Sequence, residues 1–368
     1  MAETLLIAGG GIAGLATALA VAKAGYEAAV FEQADELQEF GAGMQLGPNA
    51  AHALVQLGIG KELNKAAGFP EEVRILDGIT GRTLNTVRLG EGFEKTYGAP
   101  YRVIHRGDLL DALAKACAKQ KRITINLSSP VSKISIDDDV SVTVKRKKIS
   151  GSALVGADGI RSFVRSELVN DGGPELSGQT IGRALIPAEI MPVPESAVHL
   201  WMLPGGHVVH YPIRGGKAYN LVAAYDAPWE DEGWNAPATK DEIETWFEDC
   251  TGVLRQVLAA APEWRKWAGA DRAPGTAWGV GPATLVGDAA HGVLPYLAQG
   301  AAMALEDAAT LGNMLSDTKE CAAAFRAYEA LRQPRTERLY RETRAAGQAY
   351  HAGGATRLAR NMVLRTMS

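Results

Sequence analysis

The first thirty residues carry two apolar runs that are separated by glycines. The run from Thr4 to Ala8 is short, which is typical of a buried parallel strand, and Ile12 to Ala24 is rich in the helix-forming residues Ala and Leu. Tyr26 to Glu32 predicts a second strand. This β-α-β order predicts a right-handed crossover between parallel strands of a sheet that is covered on both faces.

The uncharged stretch from Thr4 to Ala22 is nearly long enough for a membrane span or a signal peptide. Four glycines interrupt this stretch, and Glu3 stands where a signal peptide needs a basic flank. We therefore interpret the stretch as a strand and a helix joined by a turn.

The later part of the chain alternates between strand-like and helix-like patterns. His207 to Pro212 and Tyr219 to Ala224 predict strands of an antiparallel sheet. Ala301 to Leu315 and Ala322 to Tyr350 are helical by composition, and Pro334 is expected to kink or interrupt the second helix. A second, β-rich region is therefore expected beside the N-terminal β-α-β unit.

Composition excludes several classes of protein. The chain has 368 residues, of which 46% are hydrophobic, and a net charge of -4, which is typical of a folded globular protein of about two domains. With 38 basic and 42 acidic residues it has no general attraction to nucleic acid or anionic lipid, so we expect a small-molecule substrate. The basic run Lys145 to Lys148 is predicted to be a solvated hairpin end.

The three cysteines, Cys117, Cys250 and Cys321, are odd in number and far apart. No CxxC spacing connects them, so neither a disulfide framework nor a zinc site is expected. This pattern predicts reduced thiols and a cytoplasmic location.

A GxGxxG motif, in which Gly9, Gly11 and Gly14 are the glycines, joins the first strand to the first helix. Glycines there permit a tight turn and a close approach of the backbone to a pyrophosphate at the helix N-terminus. Glu32 ends the next strand, where its carboxylate can accept hydrogen bonds from a ribose 2′-hydroxyl. The motif predicts dinucleotide binding but does not choose between NAD and FAD.

Two further motifs make that choice. A DGxxSxxR element contains Asp158, Gly159, Ser162 and Arg165, and a GDAAH element runs from Gly287 to His291. With the first motif, and over roughly residues 4–348, they resemble the single-component (group A) flavoprotein aromatic hydroxylases. The resemblance implies an α/β fold, with a Rossmann-type FAD-binding domain, an inserted β-sheet substrate domain and C-terminal helices.

Several segments are similar to the branch of 3-hydroxybenzoate 6-hydroxylases and salicylate hydroxylases. They are Gly41 to Asn49, Pro100 to Arg106, His207 to Pro212 and Ala298 to Ala301. The resemblance implies that the following residues surround an aromatic substrate: Asp77, Tyr101, His207, Tyr211 and Gln299. His207 and Tyr211 are four apart in a predicted strand, so both side chains should point to one face and His210 to the other.

The resemblance also implies which residues hold FAD non-covalently. Beyond the glycines and Glu32, these are Arg106, Asp158, Asp288, Pro295, Gly300 and Ala301. For Asp288 a helix N-cap is the alternative role. Glu306 and Asp307 lie on different faces of a predicted helix, and we expect capping or ion pairing rather than a catalytic acid/base pair.

The domain organisation follows from the positions of these motifs. We expect an FAD-binding domain from residues 1–76, 102–178 and 278–316, a substrate domain from 77–101 and 179–277, and C-terminal helices from 317–368. The basic tail from Arg357 is expected to form a surface or a homodimer contact, because three arginines attract lipid too weakly for stable membrane association.

The activity that the resemblance implies is hydroxylation of a phenolic aromatic acid with O2 and NADH or NADPH, through a flavin C4a-hydroperoxide. His207 would draw off the phenolic proton. The alternatives are a 6-hydroxynicotinate-type hydroxylase, a flavin-dependent epoxidase or reductase, and a non-enzymatic flavin-binding protein. Gln45 and Tyr296 stand where the 6-hydroxynicotinate branch tends to have histidine. The sequence leaves open the aromatic acid, the ring position, the nicotinamide and the partner of the substrate carboxylate.

Overall fold

The computed structural model describes residues 3–37, 43–136, 140–273, 275, 277–318 and 320–367. Gly41 and Ala42 of the segment discussed above lie outside the described residues. The strands are β1 (Thr4–Ala8), β2 (Glu27–Phe31), β3 (Gly43–Leu46), β4 (Glu72–Asp77), β5 (Thr83–Arg88), β6 (Arg102–His105), β7 (Ile123–Asn126), β8 (Val131–Ile136), β9 (Val140–Val144), β10 (Lys147–Gly151), β11 (Ala153–Gly156), β12 (Glu175–Pro187), β13 (Ala197–Leu203), β14 (Gly206–Ile213), β15 (Ala218–Tyr225), β16 (Asn235–Ala238), β17 (Trp264–Asp271) and β18 (Ala283–Leu285).

The helices surround these strands, and three short 3-10 turns, Ala188–Ile190, Arg214–Gly216 and Pro295–Leu297, join some of them. The helices are α1 (Ile12–Lys23), α2 (Pro48–Gln56), α3 (Gly60–Leu63), α4 (Glu91–Tyr97), α5 (Arg106–Ala118), α6 (Phe163–Leu168), α7 (Lys240–Trp246), α8 (Gly252–Ala259), α9 (Asp288–His291), α10 (Gly300–Asp317), α11 (Cys321–Tyr350) and α12 (Gly354–Thr366).

A five-stranded parallel sheet in the order β18-β11-β1-β2-β7 forms the nucleotide-binding core. Its central strands are apolar and buried because helices cover the sheet, as the N-terminal β-α-β pattern predicts. Helix α1 packs against α10 and α5, and α1, β1 and β11 contribute to one large hydrophobic core. The predicted Rossmann-type fold is confirmed.

An eight-stranded mixed sheet in the order β16-β17-β12-β15-β14-β13-β4-β5 forms the β-rich region. Its neighbouring strands are antiparallel except for the parallel pair β13 and β4. The sheet contains the whole of β4, so the predicted domain boundary between residues 76 and 77 cuts through a strand. Helices α7 and α8 pack on one side of this sheet around their own hydrophobic core.

Strands β8, β9 and β10 form a separate three-stranded sheet, with a tight hairpin between β9 and β10. Lys145 and Arg146 turn this hairpin at φ angles of 49° and 65°, the left-handed conformation that two-residue hairpin turns require. The basic run is exposed, so its interpretation as a solvated hairpin end is confirmed.

The C-terminal part consists of two helices, α11 and α12. Helix α11 continues through Pro334 without interruption, although proline cannot donate the backbone hydrogen bond at that position. The basic tail lies in α12, which packs against β5. Among the described residues, none of the helices is long and apolar enough to span a lipid bilayer.

Candidate active site

One cavity of about 720 Å³ runs from the carboxyl end of the parallel sheet to one face of the eight-stranded sheet. This volume lies in the range of sites that bind small molecules and cofactors. It also has the position expected for open α/β sheets, which bind ligands beyond the carboxyl ends of their strands. The predicted site residues that line it are Gly9, Gly11, Glu32, Arg106, Asp158, His207, Tyr211, Asp288, Pro295, Gly300 and Ala301.

The GxGxxG turn brings three backbone segments unusually close together. A Cβ atom on Gly9 would lie 2.4 Å from the carbonyl oxygen of Ala157, and Gly9 has a φ of 106°. A Cβ atom on Gly14 would lie 1.9 Å from the carbonyl oxygen of Gly9. Gly14 therefore packs against the backbone of the turn and does not line the cavity. Only glycine fits at positions 9 and 14.

Charged side chains flank this turn. Glu32 accepts hydrogen bonds from the backbone N–H groups of Gly10 (2.6 Å) and Ala34 (2.9 Å), which fix its carboxylate at the cavity wall. Arg106 begins helix α5 and lines the same cavity. The site thus has a hydrogen-bond acceptor suited to a ribose and a cation suited to a diphosphate.

The DGxxSxxR element is hydrogen-bonded to the GDAAH element. Asp158 accepts hydrogen bonds from the Ser162 hydroxyl and from the backbone N–H of Val164, and burial raises the pKa of its carboxyl group. Arg165 is buried, pairs with Asp171 and donates to the carbonyl oxygen of Ala290 at 2.8 Å. The arginine therefore connects α6 to the GDAAH element 124 residues later in the chain.

A buried ion cluster holds the GDAAH element in place. Asp307 accepts hydrogen bonds from the Gly287 backbone N–H (2.8 Å) and from Arg332 (2.7 Å), and its Oδ2 lies 2.5 Å from Nε2 of His291. Burial alone would raise the pKa of Asp307, but His291 and Arg332 outweigh it and hold the pKa far below its usual range. The predicted ion-pairing role of Asp307 is confirmed, and Glu306 likewise pairs with Arg332.

This cluster leaves Asp288 facing the cavity. Gly287 is the N-cap residue of α9 and makes no side-chain capping bond, so Asp288 is the first residue of the helix rather than its cap. The Asp288 side chain is exposed at the cavity wall. A carboxylate in this position can accept hydrogen bonds from hydroxyl groups of a ligand.

The start of α10 also faces the cavity, as the sequence predicts. Pro295, Gly300 and Ala301 line it, and Ala298 turns the chain with a φ of 54°, which is rare for a residue other than glycine. The side chain of Gln299 is directed elsewhere, since its Oε1 accepts a hydrogen bond from Asn49 at 3.0 Å. Backbone N–H groups at a helix start favour negative charge on a bound group.

The eight-stranded sheet forms the other end of the cavity. His207, Val209 and Tyr211 alternate along β14 and all line the cavity, which agrees with the predicted common face. The sheet register places Val222 of β15 beside Val209, and Arg183 of β12 beside Val222. Both of these residues line the cavity as well. One sheet face therefore presents an imidazole, a phenol and a guanidinium to the same space.

His210 lies on the opposite face of β14, as predicted. Its Nε2 accepts a hydrogen bond from the Trp201 indole at 3.0 Å, and its ring stacks on that of His199 with centroids 4.5 Å apart. His291 likewise is occupied by Asp307 and contacts the Trp278 ring. Both histidines have packing partners of the kind expected for a structural role.

Tyr101 lies one layer behind the cavity wall. Its hydroxyl donates to Oε1 of Gln45 at 2.7 Å, and Gln45 itself lines the cavity. Burial raises the pKa of Tyr101, and burial together with Tyr101 raises the pKa of Tyr211. Both tyrosines are therefore neutral hydrogen-bonding groups at physiological pH.

The structure does not bring Asp77 to this cavity, which corrects the sequence prediction for that residue. One oxygen of Asp77 accepts hydrogen bonds from the turn residue Thr80, and the other accepts from Arg357 (2.6 Å) and Asn361 of α12. A buried carboxylate needs such partners. Asp77 therefore connects α12 to the sheet and does not line the cavity.

Gln45, Arg183 and Val209 line the cavity, although none of them is among the predicted site residues. Gln45 and Val209 lie in segments that resemble the hydroxylase branch, whereas Arg183 lies in no motif. Arg183 is half-buried, and its guanidinium lies 5.1 Å from the centre of the Trp267 ring. The alternation of residues along β12 predicts that Arg183 and Ile181 point to the same face of the strand. That this face meets the cavity at Arg183 follows only from the pairing of β12 with β15.

The residues at the parallel-sheet end fit FAD. The glycine turn, in which a Cβ atom on Gly9 would collide with Ala157, leaves room for a pyrophosphate close to the backbone. Glu32, Arg106 and Asp288 line the same cavity. The two carboxylates can accept hydrogen bonds from the hydroxyl groups of a ribose and of a hydroxylated chain, and the Arg106 guanidinium can pair with a diphosphate.

Comparison with known proteins shows the family to which the chain belongs. Residues 2–343 match the FAD binding domain family. The chain is 40% identical over 363 residues to 3-hydroxybenzoate 6-hydroxylase from Klebsiella oxytoca, which covers 97% of this chain and 91% of the relative. It is 32% identical over 349 residues to 6-hydroxynicotinate 3-monooxygenase from Bordetella bronchiseptica, covering 92% of this chain and 89% of the relative. A solved salicylate hydroxylase substrate complex has the same fold, with a TM-score of 0.86 and 23% identity over 100% of this chain and 93% of that one.

The family match includes all three sequence motifs and the cavity that they build. The similarity to 3-hydroxybenzoate 6-hydroxylase extends over nearly the whole chain, so it also includes the sheet that carries His207 and Tyr211. This confirms the resemblance predicted from the motifs. The protein belongs to the FAD binding domain family.

Proposed function

We propose that this protein is an FAD-dependent monooxygenase that hydroxylates a phenolic aromatic acid, with O2 and NADH or NADPH as co-substrates. The observation that carries this proposal is one continuous cavity that is lined both by the proposed FAD residues and by His207, Tyr211 and Arg183. When bound, FAD supplies the reducing equivalents from the nicotinamide and the activation of O2. The protein itself has to hold the ring, activate it and exclude water.

His207 is suited to activate the ring. The His207 side chain is 2% exposed, and burial holds the pKa of its imidazole well below the usual range. The imidazole is therefore neutral at physiological pH. Its Nδ1 lies 2.8 Å from Nε2 of His351, which leaves Nε2 of His207 as the nitrogen that can accept a proton from the cavity. Removal of a phenolic proton raises the electron density of the ring, which makes its carbon atoms better nucleophiles.

Arg183 is suited to hold the acid group. It supplies a permanent positive charge two strands away from the row of β14 side chains that includes His207. Between them, Val209 and Val222 offer an apolar surface for the ring. We propose that Arg183 binds the substrate carboxylate while His207 receives the phenolic hydroxyl, with Tyr211 and Gln45 orienting the ring.

The proposed function is tested with a panel of hydroxybenzoates, salicylate and hydroxynicotinates, and with phenols that lack an acid group. NADH or NADPH consumption, product mass and hydrogen peroxide are measured in one reaction. We expect a phenolic acid to stimulate nicotinamide oxidation and to gain one oxygen atom. Stimulation without any oxygenated product from the whole panel would overturn the proposal.

A hydroxylated pyridine acid is the second candidate substrate. It is favoured by the similarity to 6-hydroxynicotinate 3-monooxygenase, although that similarity is weaker than the one to 3-hydroxybenzoate 6-hydroxylase. Gln45 and Tyr296 line the cavity, and both are neutral groups. The same panel separates the two candidates by their kcat/KM values.

Arg183 gives a prediction about substrate charge. Arg183→Met should raise the KM for the best phenolic acid about 10- to 100-fold, because a charge-assisted hydrogen bond to the carboxylate is lost. The primary amide of the same acid should have similar KM values with both proteins. Arg265→Met is the matched control, since Arg265 faces Arg183 in the sheet register but is exposed and bonds Asn235. Equal loss for acid and amide would contradict a carboxylate contact.

Asp288 gives a prediction about the cofactor. Asp288→Ala should weaken FAD binding about 10- to 150-fold, since a ligand hydroxyl loses a charged acceptor worth about 1.5–3 kcal/mol. Asp288→Asn keeps one acceptor oxygen and should lose less. The dissociation constant is measured by fluorescence titration of the apoprotein with FAD. An unchanged constant in the alanine variant would remove Asp288 from the FAD site.

Location and assembly are also proposals. We propose a cytoplasmic protein without stable membrane association, which the three free and buried cysteines support. We further propose a homodimer, supported by apolar side chains that α12 exposes, namely Leu358, Met362 and Val363. Light scattering of the purified holoprotein measures the assembly state.

A further inference from the structure

A chain of hydrogen-bonded side chains leads from the cavity to the protein surface. Nδ1 of His207 lies 2.8 Å from Nε2 of His351, and Nδ1 of His351 lies 2.6 Å from Oδ1 of Asp226. His207 comes from β14, Asp226 directly follows β15, and His351 directly follows α11. Three separate elements therefore meet to form one continuous path.

The Asp226 carboxylate determines which nitrogen of each histidine carries a hydrogen. Asp226 can only accept, so Nδ1 of His351 carries the hydrogen that it donates. The other ring nitrogen of His351, Nε2, is then unprotonated and accepts from the Nδ1–H of His207. The unprotonated Nε2 of His207 consequently belongs to the cavity side of the path.

Exposure increases along the path. His207 is 2% exposed and His351 is buried, whereas the side chain of Asp226 is 47% exposed. An extra positive charge is therefore most costly on His207 and least costly beside Asp226. Burial raises the pKa of Asp226, but hydrogen bonds from His351 and Gln179 outweigh burial, so the pKa lies below its usual value and the carboxylate is ionised.

A buried base without a second partner would have to keep the proton that it removes. Burial and the neighbouring His351 hold the pKa of His207 well below the usual range, so an imidazolium at this position is unfavourable. Removing a phenolic proton would be easier if the proton left His207 at the same time. The path provides the groups for that transfer.

We propose that His351 and Asp226 form a proton relay that carries the phenolic proton from His207 towards solvent. This inference rests on the proposed function. The phenolic O–H bond breaks and its electron pair stays on oxygen; a new N–H bond forms at Nε2 of His207 while its Nδ1–H proton passes to Nε2 of His351. His207 ends neutral in its other tautomer, and the positive charge lies on His351 beside the Asp226 carboxylate.

The surroundings of His351 keep the relay aligned. The backbone N–H of Gly205 donates to the carbonyl oxygen of His351 at 2.9 Å, and the N–H of Asp226 donates to the carbonyl oxygen of Gly205 at 2.8 Å. Gln179 donates to Asp226 at 2.9 Å and accepts from the Tyr296 hydroxyl. The titratable groups that the described residues place around His351 are His207, Asp226, Tyr296 and Tyr350.

The relay is tested on the oxidised, FAD-bound protein without a nicotinamide. The ultraviolet difference spectrum of a bound phenolic acid reports the phenolate fraction, and its pH midpoint is measured from pH 6 to 9. His351→Gln should raise this midpoint by about one pH unit or more, because its amide cannot accept the relayed proton. In turnover, kcat should fall about 10-fold with little change in KM.

Two further variants keep the test falsifiable. Asp226→Asn changes a half-exposed side chain and should shift the midpoint in the same direction even if His351→Gln folds poorly. Tyr350→Phe is the matched control, because Tyr350 packs edge-on against His207 but its ring is not part of the hydrogen-bonded path. It should keep the wild-type midpoint.

The outcomes separate the relay from the proposed function. A wild-type protein that hydroxylates no phenolic acid would overturn the proposed function. A wild-type protein that hydroxylates its substrate, with the same midpoint and kcat in His351→Gln and Asp226→Asn, would overturn the relay alone. An equal shift in Tyr350→Phe would also overturn the relay, since it would show that packing around His207 controls the midpoint.

Discussion

Replacing His207 by alanine is expected to leave FAD bound and to lower the hydroxylation rate about 10²- to 10⁴-fold, the range for loss of one acid/base group. The variant loses the imidazole that would receive the phenolic proton. FAD should stay in place, because His207 is not among the residues proposed to hold it. Flavin reduction by the nicotinamide should therefore suffer less than product formation.

The measurement compares nicotinamide consumed, product formed and hydrogen peroxide released in the same reaction. In His207→Ala the ratio of product to nicotinamide should fall and the ratio of peroxide to nicotinamide should rise. His210→Ala is the control on the same strand, since His210 lies on the opposite face with Trp201 and His199. That variant should lose stability but keep the wild-type product ratio. Wild-type rate and coupling in His207→Ala would return His207 to a structural role.

The nucleotide-binding core could be predicted because its signals are local. The apolar run of β1, the glycine turn and the Ala- and Leu-rich α1 follow one another within twenty residues, and each restricts the backbone by itself. The side-chain alternation of β14 was equally local, so the common face of His207 and Tyr211 was predictable. Such features depend on neighbours along the chain.

The contacts that the sequence did not predict depend on distant partners. Asp77 was assigned to the substrate by resemblance, but its partner Arg357 lies 280 residues away in α12. Arg183 reaches the cavity only through the register of β12 against β15. His351 meets His207 because α11 continues through Pro334, where composition predicted a kink or a break.

The largest effect on stability is expected at Asp307. Asp307→Ala should lower the free energy of unfolding by about 3–5 kcal/mol, because it leaves the buried Arg332 with one carboxylate partner fewer and removes the acceptor of the Gly287 N–H. Glu306 still pairs with Arg332, which favours the lower end of this range. Denaturant unfolding of the apoprotein measures the change. Glu337→Ala removes an exposed pair with Arg341 on α11 and should have no measurable effect.

The pKa of Asp307 predicts how the stability difference between wild type and Asp307→Ala depends on pH. Its pKa is held far below that of an unfolded aspartate, chiefly by His291 and Arg332 against the opposing effect of burial. The unfolded chain therefore binds the proton first as the pH falls, so the contribution of Asp307 is complete above about pH 5 and decreases below the unfolded pKa of about 3.9. The stability difference between wild type and Asp307→Ala should shrink as the pH falls below 4. A difference that grows as the pH falls below 4 would show that Asp307 is protonated in the folded protein, in which case the charged cluster does not hold the GDAAH element.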